Sequence, residues 1–200
     1  MNVAKAAPSF GPSHGDKLAF LFGLVLYSLG QVLVNLGPDF VSAQRPVDYA
    51  HWLLLLGSLF FLPFVARLAR TPLNLVALIT MALGVAAVIG MCVLDFIFWS
   101  LPDDAFETEL AQRLTATPAI WSPFITVGPN YIFGLALALS SLAFFRESRV
   151  GTALALAGSV VIALLTQWGN VVGYLLVLVG YVLDFRLAGL RRPSAQLTSD

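Results

Sequence analysis

Polar side chains that fall inside long apolar runs are the residues of this sequence best placed to do chemistry. A polar group at membrane depth is costly and is therefore a default site candidate. Such residues gather toward one end of every apolar run: Gln31, Asn35, His51, Asp95, Asn130, Tyr131, Gln167 and Asn170. An imidazole beside a carboxylate titrates near neutral pH. One interpretation is therefore an outward-facing vestibule for a small solute or a lipid headgroup, with His51 and Asp95 as a proton-sensitive pair.

The same polar residues also fit a structural interpretation. Residues 73–94 alone supply the roughly 20 apolar residues that a transmembrane helix needs. Asp95 would then lie at the membrane interface, where a carboxylate costs little. Buried Asn and Gln side chains also serve as ordinary hydrogen-bond partners between membrane helices. We favour this second interpretation and keep the first one open.

The elements that would hold these residues are membrane helices. Apolar residues make up 58% of the chain and charged residues 11%, against roughly 25% charged in a soluble domain. All six apolar runs reach the length of a transmembrane helix, about 17–25 residues, although the second and the last two are near the lower limit. The sequence therefore predicts an all-α bundle of six transmembrane helices, at residues 18–36, 50–66, 73–99, 125–145, 151–168 and 171–188, between polar tails at 1–17 and 189–200.

The connections between the runs carry turn signals. Gly37-Pro38 ends the first run, Pro63 and Pro129 should bend their helices, and Trp168-Gly169-Asn170 predicts a tight hairpin. The long connection at residues 100–124 contains an acidic helix start followed by Phe106, Leu110 and Leu114, one every four residues. We expect a short amphipathic helix at residues 104–114, on the membrane surface, with Pro118 and Pro123 ending that segment.

Basic residues predict the orientation, because Lys and Arg are retained on the cytoplasmic side. One set of tails and loops holds nine of them and the other set only Arg45 and Arg113. The four tryptophans fall at helix ends on the other side, where indole rings anchor. Both termini are therefore predicted to be cytoplasmic. Val41-Ser42-Ala43 resembles a signal-peptide cleavage site, but the run before it is longer than a usual signal core, so we expect no cleavage. The nine basic residues are Lys5, Lys17, Arg67, Arg70, Arg146, Arg149, Arg186, Arg191 and Arg192.

Two further features concern packing. Asp184 lies in the last run, at its cytoplasmic end, where we expect it to pair with arginines in headgroup water. Small residues spaced by four favour close approach of membrane helices. They occur at Gly169 and Gly173, at Ala153 and Ala157, and at Gly134 and Ala138. Together they predict a compact bundle, and an exposed face would suit a homodimer.

Enzymatic chemistry finds little support in the sequence. It holds two histidines and one cysteine, too few for a haem, zinc or disulfide centre inside the bundle. It has no H-E-x-x-H, P-loop or G-x-S-x-G motif. The net charge is zero, so the chain has no overall positive charge that would attract nucleic acid. We therefore expect no enzyme activity, no cofactor and no metal.

The sequence therefore predicts a multi-pass protein of the cell (inner) membrane, whose partners are the bilayer and a membrane protein or a second copy. The leading hypothesis is a non-enzymatic accessory subunit that meets its partner through the acidic outer loop and its helix. The alternative is a small transporter or channel that uses the outer polar layer.

Overall fold

The structure, a computed structural model, describes residues 11–44, 47–68, 71–101, 104–165 and 167–190. The described residues are helical, and no strand occurs among them. Their α-helices are α1 (His14–Asn35), α2 (Pro38–Ala43), α3 (Tyr49–Leu59), α4 (Phe61–Ala66), α5 (Pro72–Trp99), α6 (Asp104–Thr115), α7 (Pro118–Trp121), α8 (Phe133–Ser141), α9 (Arg149–Leu164) and α10 (Trp168–Leu190). A π-helix (Ser122–Ile132) joins α7 to α8, and a 3₁₀ turn (Leu142–Phe144) follows α8.

Five helical stretches are long and apolar enough to cross a membrane: His14–Asn35, Tyr49–Ala66, Pro72–Trp99, Pro118–Phe144 and Trp168–Phe185. The predicted sixth span, residues 151–168, corresponds to α9. This helix has 16 residues, so it rises only about 24 Å, against a hydrocarbon core of about 30 Å. The described residues thus contain five candidate spans and one shorter apolar helix, and the count of six is not confirmed.

The predicted tails are shorter than expected where the structure describes them. Residues 1–10 and 191–200 lie outside the described residues, together with Arg45 and Arg70. At the start, Ser13 and Asp16 form a capping box, in which the Ser13 hydroxyl accepts from the Asp16 backbone N–H. The first helix therefore begins at His14, not at residue 18. At the other end, α10 runs to Leu190.

Prolines shape two of the spans. In the second span, the helix is interrupted at Phe60, between α3 and α4. Phe60 lies three residues before Pro63, whose ring and missing N–H disturb the preceding helical turn. In the fourth span, Pro118 is the first residue of the helix, and proline is tolerated in the first turn of a helix. α6 does end before Pro118, as predicted, but the fourth span begins at Pro118 and not at residue 125, and it continues through Pro123 and a π-helix around Pro129.

The turn between α9 and α10 lies earlier than predicted. The chain leaves α9 at Leu165, and Gln167 has a φ of 54°. Trp168, Gly169 and Asn170 are not the hairpin but the first turn of α10. With its amide turned so that the nitrogen faces these acceptors, Asn170 donates to the carbonyl oxygens of Leu165 at 2.7 Å and Ile162 at 3.2 Å, which caps the end of α9.

The bundle has two ends, which we name by their most distinctive residues. The His51 end holds the start of α3 and the end of α5. The Asp184 end holds the start of α1, the end of α4 and the end of α10, and there Arg67 forms an ion pair with Asp16 at 3.0 Å. Fully buried aromatic side chains fill the space between the two ends: Phe20, Tyr27, Phe61, Phe64, Phe133, Tyr174 and Tyr181.

The closest helix packing joins α9 to α10. A Cβ atom added at Gly158 would lie 2.5 Å from the Gly173 carbonyl oxygen and 2.9 Å from the Val177 backbone nitrogen, so the two backbones touch there. Gly173 thus belongs to a close contact, as its spacing predicted. Ala153 and Ala157, by contrast, point away from the bundle, since both are exposed. The small residues that α9 uses are Gly151, Ala155 and Gly158.

We expect Gly158→Ala to lower the free energy of unfolding by about 1–3 kcal/mol, because the added methyl group meets rigid backbone. Gly134→Ala is the matched control. Its Cβ would meet its nearest atoms at 3.6 Å, an ordinary contact, so the change should be neutral or slightly stabilising. The measurement is unfolding of the purified protein in detergent. Equal effects of the two substitutions would contradict the close packing of α9 on α10.

Candidate functional site

His51 lies in the first turn of α3, and Asp48 holds it there. Asp48 is the residue that caps α3, and its Oδ1 accepts from the His51 backbone N–H at 3.1 Å. Its other oxygen, Oδ2, lies 2.6 Å from Nδ1 of the His51 ring. One carboxylate therefore satisfies the helix start and also fixes the orientation of the imidazole. Asp48 is 2% exposed, so this arrangement is shielded from solvent.

The second ring nitrogen of His51 faces a different helix. Its Nε2 lies 3.1 Å from Oδ2 of Asp95, which is four residues before the end of α5. The imidazole thus bridges two carboxylates, one on its own helix and one on α5. The structure brings together the two residues that the sequence suggested as a pair. We call Asp48, His51 and Asp95 the His51 cluster.

The geometry of the His51 cluster determines how many protons it must hold. A neutral imidazole has one N–H donor and one nitrogen lone pair. With two ionised carboxylates, it would donate to one and present its lone pair to the other. Both short contacts are attractive only when the cluster holds one proton more, on the ring or on a carboxyl group. The arrangement therefore has the geometry to hold one extra proton between α3 and α5.

Aromatic rings cover one side of the cluster. The Phe96 ring meets the His51 ring edge to face, with centroids 6.4 Å apart, and Trp52 packs against Phe96 at 5.2 Å. The side chain of His51 is 12% exposed, whereas that of Asp95 is 32% exposed. Protons can therefore reach the cluster from the Asp95 side. On the other side, the apolar rings keep water away and so strengthen the contacts of the imidazole.

Three amides of the predicted polar layer hydrogen-bond to backbone carbonyl groups near them in the sequence. Asn35 donates to the Gln31 carbonyl oxygen at 2.7 Å, and Asn130 donates to the Thr126 carbonyl oxygen at 3.4 Å. Asn170 caps α9. These contacts fit the structural interpretation of the layer. None of the three amides reaches toward the His51 cluster in a contact that the structure shows.

The other members of the layer are more open. Tyr131 is 53% exposed on the surface of the π-helix, and Gln167 is exposed in the turn before α10. Gln31 is half-buried on α1. Among the eight predicted residues, His51 and Asp95 have side chains that meet across two helices, whereas Asn35 bonds to the Gln31 backbone on the same helix.

Asp48 is the residue that sequence reasoning left out of the candidate site. It stands three residues before His51, at the helix start, which is the spacing of a capping carboxylate. That spacing is a usable signal, but it explains only the backbone contact. The ring contact depends on the rotamer of His51, which the sequence does not specify.

The long connection after α5 contains the helix α6, at almost the predicted bounds. Glu107, Glu109 and Arg113 are exposed on it, and Glu109 pairs with Arg113 one turn away. The side chain of Asp104 lies outside the described residues. α6 packs mainly on α7. It begins a few residues beyond the end of α5.

Asp184 contradicts its prediction. Instead of facing headgroup water, its side chain is 0% exposed and lies against the first turn of α9. The side chain of Arg186, one of its expected partners, lies outside the described residues. The depth of Asp184 along the helix was predicted from its position, but the side of the helix that it occupies was not.

Among the described residues, no group of three or more His, Cys, Asp and Glu side chains has an arrangement that could hold a metal ion. The contacts of the His51 cluster are those of one imidazole with two carboxyl groups. Comparisons with known proteins add no function: no family model, curated protein or solved structure matches the chain.

We expect His51→Gln and Asp95→Asn to be strongly non-additive in stability. Each single change breaks the contact between α3 and α5, so the second change should cost much less than the first. A coupling free energy of about 0.5–3 kcal/mol is expected from unfolding measurements on the two single variants and the double variant.

Asp39→Asn provides the control for this cycle. Asp39 is an exposed carboxylate in the first turn of α2, outside the cluster. Its combination with His51→Gln should be additive within about 0.5 kcal/mol. Additive behaviour of the His51 and Asp95 variants as well would show that the bridge contributes nothing.

Proposed function

We propose that this chain is a non-enzymatic accessory subunit of the cell (inner) membrane, whose outer end binds protons and presents α6 to a protein partner. The observation that carries the proposal is the 3.1 Å contact between His51 Nε2 and Asp95 Oδ2. It joins a proton-binding group to the last turn of α5, from which the connection to α6 departs.

The proposed topology has six crossings, with both termini in the cytoplasm and the His51 end outside. Its support is the distribution of basic residues and tryptophans along the chain. α9 is the short crossing. The direction of the chain reverses between α8 and α9 and again between α9 and α10, so α9 runs from the Asp184 end toward the His51 end. Local thinning of the bilayer accommodates a helix of this length at modest cost.

Reporter fusions at the two termini test this topology. Six crossings place both termini on the same side, whereas five crossings place them on opposite sides. We expect a cytoplasmic fluorescent reporter to be active, and a periplasmic enzyme reporter inactive, at the N-terminus and at the C-terminus alike. A fusion at Thr108 of α6 should show the reverse pattern. Opposite results at the two termini would reduce the number of crossings to five.

The proposal links the protonation state of the His51 cluster to the position of α6. With its bridging proton, His51 holds the end of α5 against α3. Without that proton, one of the two contacts becomes a lone pair facing a carboxylate, and the end of α5 is released. Ser100 begins the connection directly after α5, and α6 starts at Asp104. A change at the cluster therefore reaches α6 through a few residues.

The interior of the bundle favours an accessory role over transport. The buried aromatic side chains contact one another from Tyr27 and Phe133 to Phe20, Tyr181 and Phe185, with ring centroids 4.5–6.4 Å apart. This column fills the middle of the bundle between its two ends. A solute would have to displace it.

Partner retention at two pH values tests the accessory role. We expect a membrane partner to co-purify with the wild-type chain in a fixed ratio at either neutral or acidic pH, and to dissociate at the other of these two pH values. His51→Gln should remove this pH dependence, and Glu107→Lys on α6 should weaken retention at both pH values. Asp39→Asn is the control and should behave as wild type. Retention that does not change with pH, or that changes equally in His51→Gln, would refute the role of the cluster.

The second candidate is a small proton-coupled transporter. The buried Asp184 favours it, because it gives the bundle an acidic group at the end opposite the His51 cluster. Solute flux in proteoliposomes decides between the two functions. We expect no flux above that of empty liposomes. Robust flux that Asp95→Asn abolishes would establish the transporter and overturn the accessory proposal.

A further inference from the structure

The Asp184 end contains a buried acidic group that the proposed function does not use. Asp184 is 0% exposed, and neither carboxylate oxygen completes a hydrogen bond, although the Ser148 hydroxyl lies beside the carboxylate. Buried polar groups are hydrogen-bonded in the large majority of cases, so an orphaned carboxylate needs an explanation. A missing ligand is one such explanation.

Several oxygen atoms surround Asp184 at the corner where the start of α9 packs against α10. A Cβ atom added at Gly151 would collide with Oδ1 of Asp184 and would lie 2.6 Å from both Oγ of Ser148 and the carbonyl oxygen of Gly180. Three oxygens thus crowd around a position that only a glycine leaves open. Gly151 makes room for the carboxylate at the start of α9.

More oxygens come from the segment that joins α8 to α9. Oε2 of Glu147 is buried and has no hydrogen-bond partner in the structure. Thr152 is fully buried, and its hydroxyl donates to the carbonyl oxygen of Ser141, near the end of α8, at 3.2 Å. Glu147 lies close enough to act electrostatically on Asp184, so the corner offers two carboxyl groups, the Ser148 hydroxyl oxygen and the Gly180 carbonyl oxygen.

Positive groups also lie near this corner, and they do not bond to Asp184. Lys17 Nζ lies 5.4 Å from the centroid of the Phe185 ring, next to Asp184 in sequence. Arg67 pairs with Asp16, and Arg149 lies over the Phe145 ring at 6.0 Å. None of these cations donates to a carboxylate oxygen of Asp184.

We propose that Asp184, Ser148 and Glu147 form a binding site for a sodium ion at the corner between α8, α9 and α10. Hard cations take oxygen ligands, and carboxylate, hydroxyl and carbonyl oxygens are all present here. Ionisable residues inside membrane helices commonly mark ion sites. This inference does not depend on the proposed function, because the site lies at the opposite end of the bundle.

The number of orphaned oxygens favours sodium over a proton. One proton would satisfy one oxygen of Asp184 and give it a single donor, whereas a metal ion contacts several oxygens at once. A divalent ion is a poorer fit, because calcium takes six to eight oxygen ligands, commonly with several carboxylates, and magnesium demands near-octahedral geometry. Two carboxyl groups with neutral oxygens suit a monovalent ion better.

Thermal unfolding of the full chain in detergent tests the proposal, with NaCl compared against KCl and choline chloride at equal ionic strength and constant pH. We expect sodium alone to raise Tm, by roughly 3–6 °C for each tenfold increase above the dissociation constant. Asp184→Asn should abolish this shift. Asp95→Asn, at the other end of the bundle, should lower Tm but leave the sodium-dependent shift unchanged.

Glu147→Gln keeps the test decisive if Asp184→Asn does not fold. Glu147 is only half-buried, so this variant should fold and require at least tenfold more sodium for the same shift. Binding of radioactive sodium to the wild-type protein should show the same affinity and should weaken as the pH falls. Equal Tm values in all three salts, stabilisation by acid alone, or a sodium-dependent shift that persists in Asp184→Asn would each overturn the sodium site.

Discussion

The constraint that shapes this chain is that its helices carry apolar side chains on the outside, so polar groups have to find partners within the bundle. Leu75, Ile79 and Leu83 on α5 are each more than half exposed, along one face of the longest helix. Hydroxyl groups in such helices bond to their own backbone instead of to water. The pattern recurs throughout the described residues, at Ser58, Thr80, Ser140, Ser141 and Ser159. The His51 cluster follows the same rule with charged groups, since each acid has the imidazole as its partner.

The sequence predicted the helices well and their boundaries less well, for a physical reason. Composition is enough to identify long apolar helices, because a run of about 20 apolar residues has few other stable environments. Boundaries depend on single side chains. Ser13 extends the first helix beyond the apolar run by capping it, and Asn170 ends α9 by bonding to its last turn. Pro118 was assigned to the end of a segment, although proline fits equally well in the first turn of a helix.

The sequence could predict how far along its helix each candidate residue lies, but not which side of the helix the residue occupies. His51 and Asp95 were paired because both fall at the same end of adjacent runs, and position along a run gives depth directly. Which way a side chain points around its helix depends on packing between helices. That is why Asp184 was placed in headgroup water and lies fully buried, and why the ring contact of Asp48 was missed. The inner faces of α9 show the same limit, since Ala155 and not Ala153 meets α10.

The buried carboxylate of Asp184 raises the question of what neutralises it. The start of α9 offers the positive end of a helix dipole, worth about 0.3–1 kcal/mol and at most about 2 kcal/mol in buried geometries. Removing an ion from water costs several kcal/mol after relaxation, so the dipole does not offset the burial of even one carboxylate. Oε2 of Glu147 is buried in the same corner, which adds a second acid to the same deficit. If one of the two acids holds a proton, a bound sodium ion balances the other, and the neutral oxygens already in place can serve as further ligands. The fold then has a reason to keep glycine at position 151, where any side chain would occupy the space of the carboxylate.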